Sequence, residues 1–212
     1  MRETERCMQE CSSVPVYIDG TTGEHMKLWT VQPIEVYEQL TGPAGYHVDL
    51  DHPDAWGRNY GEAYSWLHDR AVERGLSDNG SGLIWCWYRY GRTRRKPDVR
   101  SLRKKHRKGS RMCCLTLEVP DGQVLLIDSD QWFCRMLGYP CSAPEEDGMG
   151  PDELWAQLEA EWSMPETEQR RHAESTWNRV FDISRAADIE AVFFGLEPSM
   201  VRQVQFFTGE ME

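Results

Sequence analysis

Twelve of the chain's 24 Lys and Arg residues fall between Arg89 and Arg111, a stretch whose single acid is Asp98. Guanidinium and ammonium groups at that density are phosphate chemistry: Arg offers two-pronged contacts, Lys a compact charge, and both displace condensed counterions from a nucleic-acid backbone. The stretch carries a net +11 while the remaining residues sum to −22, which leaves the chain at −11. An acidic body with one cationic arm selects anionic partners. Tyr90 is the one aromatic in the run, so base stacking is not encoded there. Contact with RNA or DNA through Arg89–Arg111 is therefore expected to fall on backbone phosphates and to read no sequence. An acidic protein is the other partner that this charge fits, as in one half of a toxin–antitoxin pair.

Other chemistries have weaker support. The seven cysteines are odd in number and contain no CxxC, with Cys7 and Cys11 near the start and Cys113 and Cys114 adjacent. That pattern reads as reduced thiols in a cytoplasm rather than a disulfide framework. His47 and His52 form only a loose pair, so no metal site is expected. No GxSxG elbow occurs, and the later cysteines lie in apolar runs where thiols are inert. Phosphate-loop and dinucleotide-fold glycine signatures are missing. No apolar run reaches the length of a membrane span, and residues 1–10 are charged rather than signal-like, so a cytoplasmic protein without membrane contact is expected.

The elements that must position these groups are legible from periodicity and punctuation. Lys27 to Val31 reads as a strand, and Pro33 then opens a helix with Ile34, Val36, Tyr37 and Leu40 on its apolar face, stopped by Gly42-Pro43. A second helix is predicted from about Tyr60 to Arg74, with Gly75 past its end. Leu83 to Tyr88 reads as a buried strand. The basic run lacks an apolar face and reads as a loop or a solvated helix. Met112 to Val119 and Gln123 to Ile127 read as a hairpin joined at Pro120-Asp121-Gly122. Trp132 to Leu137 suggests a short helix. After a Pro/Gly/acid loop over 142–150, Pro151 opens an acidic amphipathic helix with Leu154, Trp155, Leu158 and Trp162, and another helix starts at Pro165. Ile189 to Phe194 and Val201 to Phe207 read as two strands bridged by Gly195 to Pro198.

These elements compose one α+β domain over residues 26–212, with a basic loop at 89–111. Residues 1–25 are polar and aperiodic. They read as a flexible leader that is not native, with Met26 as the true start.

Several segments together resemble a family of uncharacterised bacterial proteins, catalogued as a domain of unknown function. They are Met26 to Pro33, Ala63 to Leu67, Trp85 to Tyr88, Lys96 to Arg100 and Asp128 to Trp132. In its order of strand, helices, hairpin and closing strand pair, the chain is also similar to the ADP-ribosyltransferase superfamily. That resemblance implies split antiparallel sheets with flanking helices, and an enzyme that uses NAD to modify a macromolecule, with nucleic acid as one such substrate. The superfamily's first core strand often carries a His followed two residues later by Thr; here Thr30 and Gln32 stand in those places. Its closing strand often begins with Glu, as Ile189-Glu190-Ala191-Val192-Phe193-Phe194 does here.

On that resemblance Glu190 is the catalytic carboxylate, stabilising the oxocarbenium-like state formed when the nicotinamide–ribose bond breaks. Thr30 and Gln32 would bond the adenosine ribose or the carboxamide, and Arg100 the pyrophosphate. Trp29, Tyr46 or Tyr60 would stack on the nicotinamide. The competing reading is a non-catalytic nucleic-acid-binding or toxin–antitoxin module. In that case Glu190 is a strand-end acid and Arg100 pairs with Asp98.

Overall fold

A computed structural model describes residues 25–42, 45–49, 60–142 and 148–212. Apart from His25, the leader expected over residues 1–25 lies outside them, as do His52 and most of the loop over 142–150. The element order is β1 (His25–Pro33), α1 (Ile34–Leu40), α2 (Gly61–Glu73), β2 (Leu83–Arg89), α3 (Val99–Arg103), β3 (Arg111–Pro120), β4 (Leu125–Asp128), α4 (Ser129–Met136), α5 (Pro151–Trp162), α6 (Glu166–Thr176), β5 (Ile189–Phe194) and β6 (Val201–Thr208). Local signals account for most of the ends. Pro33, Pro165 and the Asp128 carboxylate stand at helix N-caps, and Asp128 accepts from the Asp130 and Gln131 amides. Gly75 follows α2 with φ +93°, a left-handed conformation that a side chain would strain.

The six strands form one antiparallel α+β sheet in the order β4-β5-β2-β1-β3-β6. The expected hairpin is absent. β3 pairs with β1 and β6, whereas β4 lies at the far edge and pairs with β5. Pro120-Asp121-Gly122 does turn the chain, but into a short 3₁₀ segment that carries it across the sheet. β3 is buried on both faces, which calls for a strand neighbour on either side rather than an edge position. The two closing strands likewise separate, β5 to one half and β6 to the other. Two interleaved halves, β4-β5-β2 and β1-β3-β6, meet at a thin joint. There β1 and β2 are in register at Trp29 and Trp87, while β1 and β3 pair along nine positions.

One face of the sheet, including Leu28, Ile84, Cys86, Leu115, Leu117, Ala191 and Phe193, packs with Leu40 of α1 and with Leu196. The other face, including Val192, Phe194 and Ile127, packs with Ala63, Leu67 and Ala71 of α2, Trp132 of α4 and Ala173 of α6. Between α2, α4 and α6 lies Arg135, 3 % exposed. Its guanidinium sits 3.6 Å from the Trp177 ring centre and 3.6 Å from the Glu62 carboxylate. The amphipathic helix expected at Pro151 is present as α5, yet it buries no residue, and Trp155 and Trp162 remain exposed with their rings edge to face.

The basic run differs most from expectation. Val99 and Leu102, three residues apart on α3, do form an apolar face, and it is buried against Met112, Cys114 and Phe207. The chain beyond α3 is zipped to the C-terminal segment by main-chain bonds. The Lys108 amide donates to the Met211 carbonyl (2.7 Å), Glu210 to Arg103 (2.8 Å), Met211 to His106 (2.9 Å) and Gly209 to Ser110 (2.9 Å). Gly209 permits that approach, because a Cβ there would collide with the Arg107 and His106 carbonyls.

Candidate functional site

Strand alternation decides which candidates can meet. Glu190 faces Trp87 across β5 and β2, and Trp87 faces Trp29 across the central joint, so these three side chains project from one face. Thr30 and Gln32 project from the other. There the Gln32 amide donates to Thr30 Oγ1 (2.7 Å), and Thr30 also bonds the buried Cys86 thiol. Arg100 is separated in a different way. It lies on α3, beside β6, in the half of the sheet that does not contain β5. Its side chain is 89 % exposed and holds Asp98 through Nε (3.1 Å) and Nη2 (2.9 Å). The cleft expected to join Glu190, Thr30, Gln32 and Arg100 is therefore not formed. A period-two strand sends positions 30 and 32 away from the face that 29 shares with 190.

What does gather around Glu190 comes from three elements. β5 enters the sheet with Glu190 at its second residue, between Trp87 of β2 and Ile127 of β4. Asp128 ends β4 and caps α4, which places Ser129 at the first helical position. The Ser129 hydroxyl donates to Glu190 Oε1 at 3.0 Å, and its amide donates to the Asp188 carbonyl at 3.2 Å. α2 lays Tyr64 over the same face, 5.3 Å from Trp85 and 5.5 Å from Trp132 by ring centres, while Trp85 and Trp132 are 5.3 Å apart. Both Glu190 and Tyr60, the residue capping α2, lie near enough to Tyr64 to raise its hydroxyl, after burial itself. Tyr60 and Glu190 thus border one region.

Burial governs the electrostatics. Removal from water pushes the Glu190 carboxyl up to about 7; the Ser129 hydrogen bond opposes this and the nearby Asp188 charge adds to it. A carboxyl poised there exchanges its proton at neutral pH, which suits acid–base or charge-stabilising work. Of the three aromatics expected to stack, Trp29 is 3 % exposed and lies beneath the Arg94 guanidinium (5.7 Å), so its ring is covered. Tyr46 is bridged to Leu196 and packs against the opposite face. Tyr60, 39 % exposed, remains.

Sequence reasoning missed three contributors. Ser129 and Tyr64 reach Glu190 only through the fold. Arg92 is brought to the start of β5 because its amide donates to Asp188 Oδ1 (2.9 Å), two residues from Glu190. Its positive φ of 59° marks the tight turn after Tyr90 that does so. Arg94 spans the central joint, donating to the Tyr88 carbonyl of β2 and the Lys27 carbonyl of β1.

Among the described residues no group of His, Cys, Asp and Glu side chains is placed to hold a metal ion, and no helix is long and apolar enough to cross a membrane. The described cysteines are free thiols, and burial raises those of Cys86, Cys113, Cys114 and Cys141.

No curated protein and no solved structure matches the chain. A family model does, over residues 27–202: the chain belongs to the family described as Domain of unknown function (DUF3841).

Proposed function

We propose that the protein is an ADP-ribosyltransferase-like enzyme that cleaves the nicotinamide–ribose bond of NAD and transfers ADP-ribose to a macromolecule, with Glu190 as its charge-stabilising carboxylate. The observation carrying this reading is the Glu190 site itself. A protonatable carboxyl is held by Ser129 at the head of β5, among the rings of Tyr64, Trp87 and Trp85, beside the thin joint of the sheet. That joint, where two three-stranded halves meet at Trp29 and Trp87, supports the split-sheet architecture of the superfamily.

The residues around Glu190 suit the substrate's nicotinamide–ribose end. Tyr60 offers an exposed ring for the nicotinamide, and Tyr64 lies over the same face within electrostatic reach of the carboxylate. As the glycosidic bond lengthens, positive charge grows on the ribose, and an ionised Glu190 in apolar surroundings stabilises that charge strongly. Arg92 takes over the phosphate-binding role expected of Arg100. Thr30, Gln32 and Arg100 take no part on this reading.

The test is to incubate the protein with NAD labelled on its adenylate half and with cellular fractions, following nicotinamide release and label transfer, with Glu190→Gln as control. Wild type is expected to transfer label with a rate that climbs about tenfold per pH unit below 7 and then levels. Equal transfer by both proteins, or transfer by neither, would sink the proposal.

A second reading concerns the partner. Arg92, Arg95, Lys104, Arg107 and Arg111 of the basic run are exposed and make no ion pair with another described residue, which favours contact with nucleic-acid phosphates. Binding that weakens steeply with salt, and that is lost when Lys104 and Arg107 are neutralised, is the expected result.

A further inference from the structure

We infer that the cavity where β3 and β6 meet the basic run is a binding site for a nucleotide unit, with the base against Phe206 and a phosphate on Arg111. The cavity is a shallow hollow open to solvent, with a volume of about 890 Å³, within the usual range for small-molecule sites. Its walls are of two kinds. Ile34 and Phe206 give an apolar side, and Arg103, Lys108 and Arg111 a cationic one, with Glu210 the acid among them; Met112 and Phe207 border the hollow from the other face of the sheet.

Register places the two key groups on one face. Arg111 pairs with Thr208 and Cys113 with Phe206, so Arg111 and Phe206 are diagonal neighbours, about 7–8 Å apart along the sheet. That separation matches a nucleobase and its own phosphate. The Phe206 ring is 52 % exposed, and edge contact with Tyr37 at 5.3 Å holds it in place. Arg111 is exposed and has no ion pair with another described residue. Arg103 and Lys108 touch Glu210 and Glu212 at 3.4 Å each, long and exposed pairs that a phosphate would displace readily. An aromatic platform beside guanidinium groups is how proteins hold single bases and their backbone. The basic run lacks such a platform in sequence, and β6 supplies it. Phe206 and Arg111 project from the face opposite Glu190, and the site does not depend on NAD cleavage, but it rests on the reading of the basic run as a phosphate-binding surface.

The experiment is calorimetric titration of the whole chain at about 50 mM salt with AMP, and separately with a short single-stranded oligonucleotide. Either ligand is expected to saturate. Binding of AMP identifies a free nucleotide as the source, and binding of the oligonucleotide alone identifies a strand. Phe206→Ala and Phe206→Leu are expected to weaken binding roughly 5- to 150-fold, the range for loss of one stacked base. The Leu variant keeps the site apolar, so its loss separates stacking from misfolding. Arg111→Gln is expected to lower the salt slope by about one. If the oligonucleotide binds in a salt-dependent way and both Phe206 variants bind as wild type, the inference fails while the phosphate-binding surface stands. If neither ligand binds, both fail. Displacement by decanoate as effective as by AMP also overturns it, since an aliphatic acid would then fill the cavity.

Discussion

Glu190→Gln should change how stability depends on pH, whatever the chemistry at the site. In the folded chain burial holds the Glu190 carboxyl at about 7, against 4.5 in the unfolded chain. Below 4.5 both states carry the proton and the group contributes nothing to pH dependence. Between 4.5 and 7 the folded state keeps a proton that the unfolded state has lost, so stability falls as pH rises. Above 7 both are ionised and the full cost is present. The gap corresponds to about 3 kcal/mol. Gln fills the same space and its carbonyl still accepts from Ser129, so the variant lacks the titration but keeps the packing. Urea denaturation of both proteins at pH 5 and pH 8 gives the comparison. The variant's advantage should grow by roughly 2–3 kcal/mol between them, since part of the cost is already present at pH 5, other titrations cancelling because both proteins share them. A difference that stays constant to within about 0.5 kcal/mol would show that Glu190 is not sequestered, and the reasoning about the site would fall with it.

Removing the Ser129 hydroxyl deletes the bond that favours the ionised form, so Ser129→Ala should move the Glu190 midpoint further upward, as read by carboxyl NMR. Gly209→Ala forces a methyl group into the Arg107 and His106 carbonyls; we expect a loss of roughly 1–3 kcal/mol and faster amide exchange at Lys108, Glu210 and Met211. Arg135→Met keeps bulk but loses the guanidinium over Trp177 and its pair with Glu62, which is well exposed and so stays solvated. A loss of about 2 kcal/mol in chemical denaturation is expected. Native thiol labelling should spare Cys113, pushed up to about 11, and Cys141, pushed up to about 12, along with fully buried Cys86, until the chain unfolds.

The candidate site was legible only in part. Glu190 was marked by the resemblance of Ile189 to Phe194 to a closing strand that begins with Glu, and its place at the head of β5 follows from that strand alone. Tyr60 was one of three aromatics left open, at the predicted start of a helix that it caps in the fold. Thr30 and Gln32 were chosen for their places on the first strand by resemblance, whereas the face they occupy is a property of pairing. Arg100 was chosen as a phosphate ligand with a pair to Asp98 as the competing reading, and in the fold Asp98, two residues earlier, is its partner. Ser129 and Tyr64 carried no signal, being an ordinary helix-start residue and an ordinary aromatic on an amphipathic face.

The strands, most helices and many of their ends follow from the amino-acid sequence by itself, because caps, prolines, glycines and apolar spacing act over a few residues. The segregation of charge is likewise a fact of the sequence. Which strands pair, and therefore which faces Glu190 and Thr30 occupy, was settled by the tertiary structure. β3 and β4 are joined by four residues and still take places four strands apart, since each is drawn to the neighbours that bury its side chains rather than to the strand nearest in the chain. The basic run is ordered for the same reason: Val99 and Leu102 find Met112 and Phe207, and the backbone finds residues 209–211, about a hundred residues away in sequence.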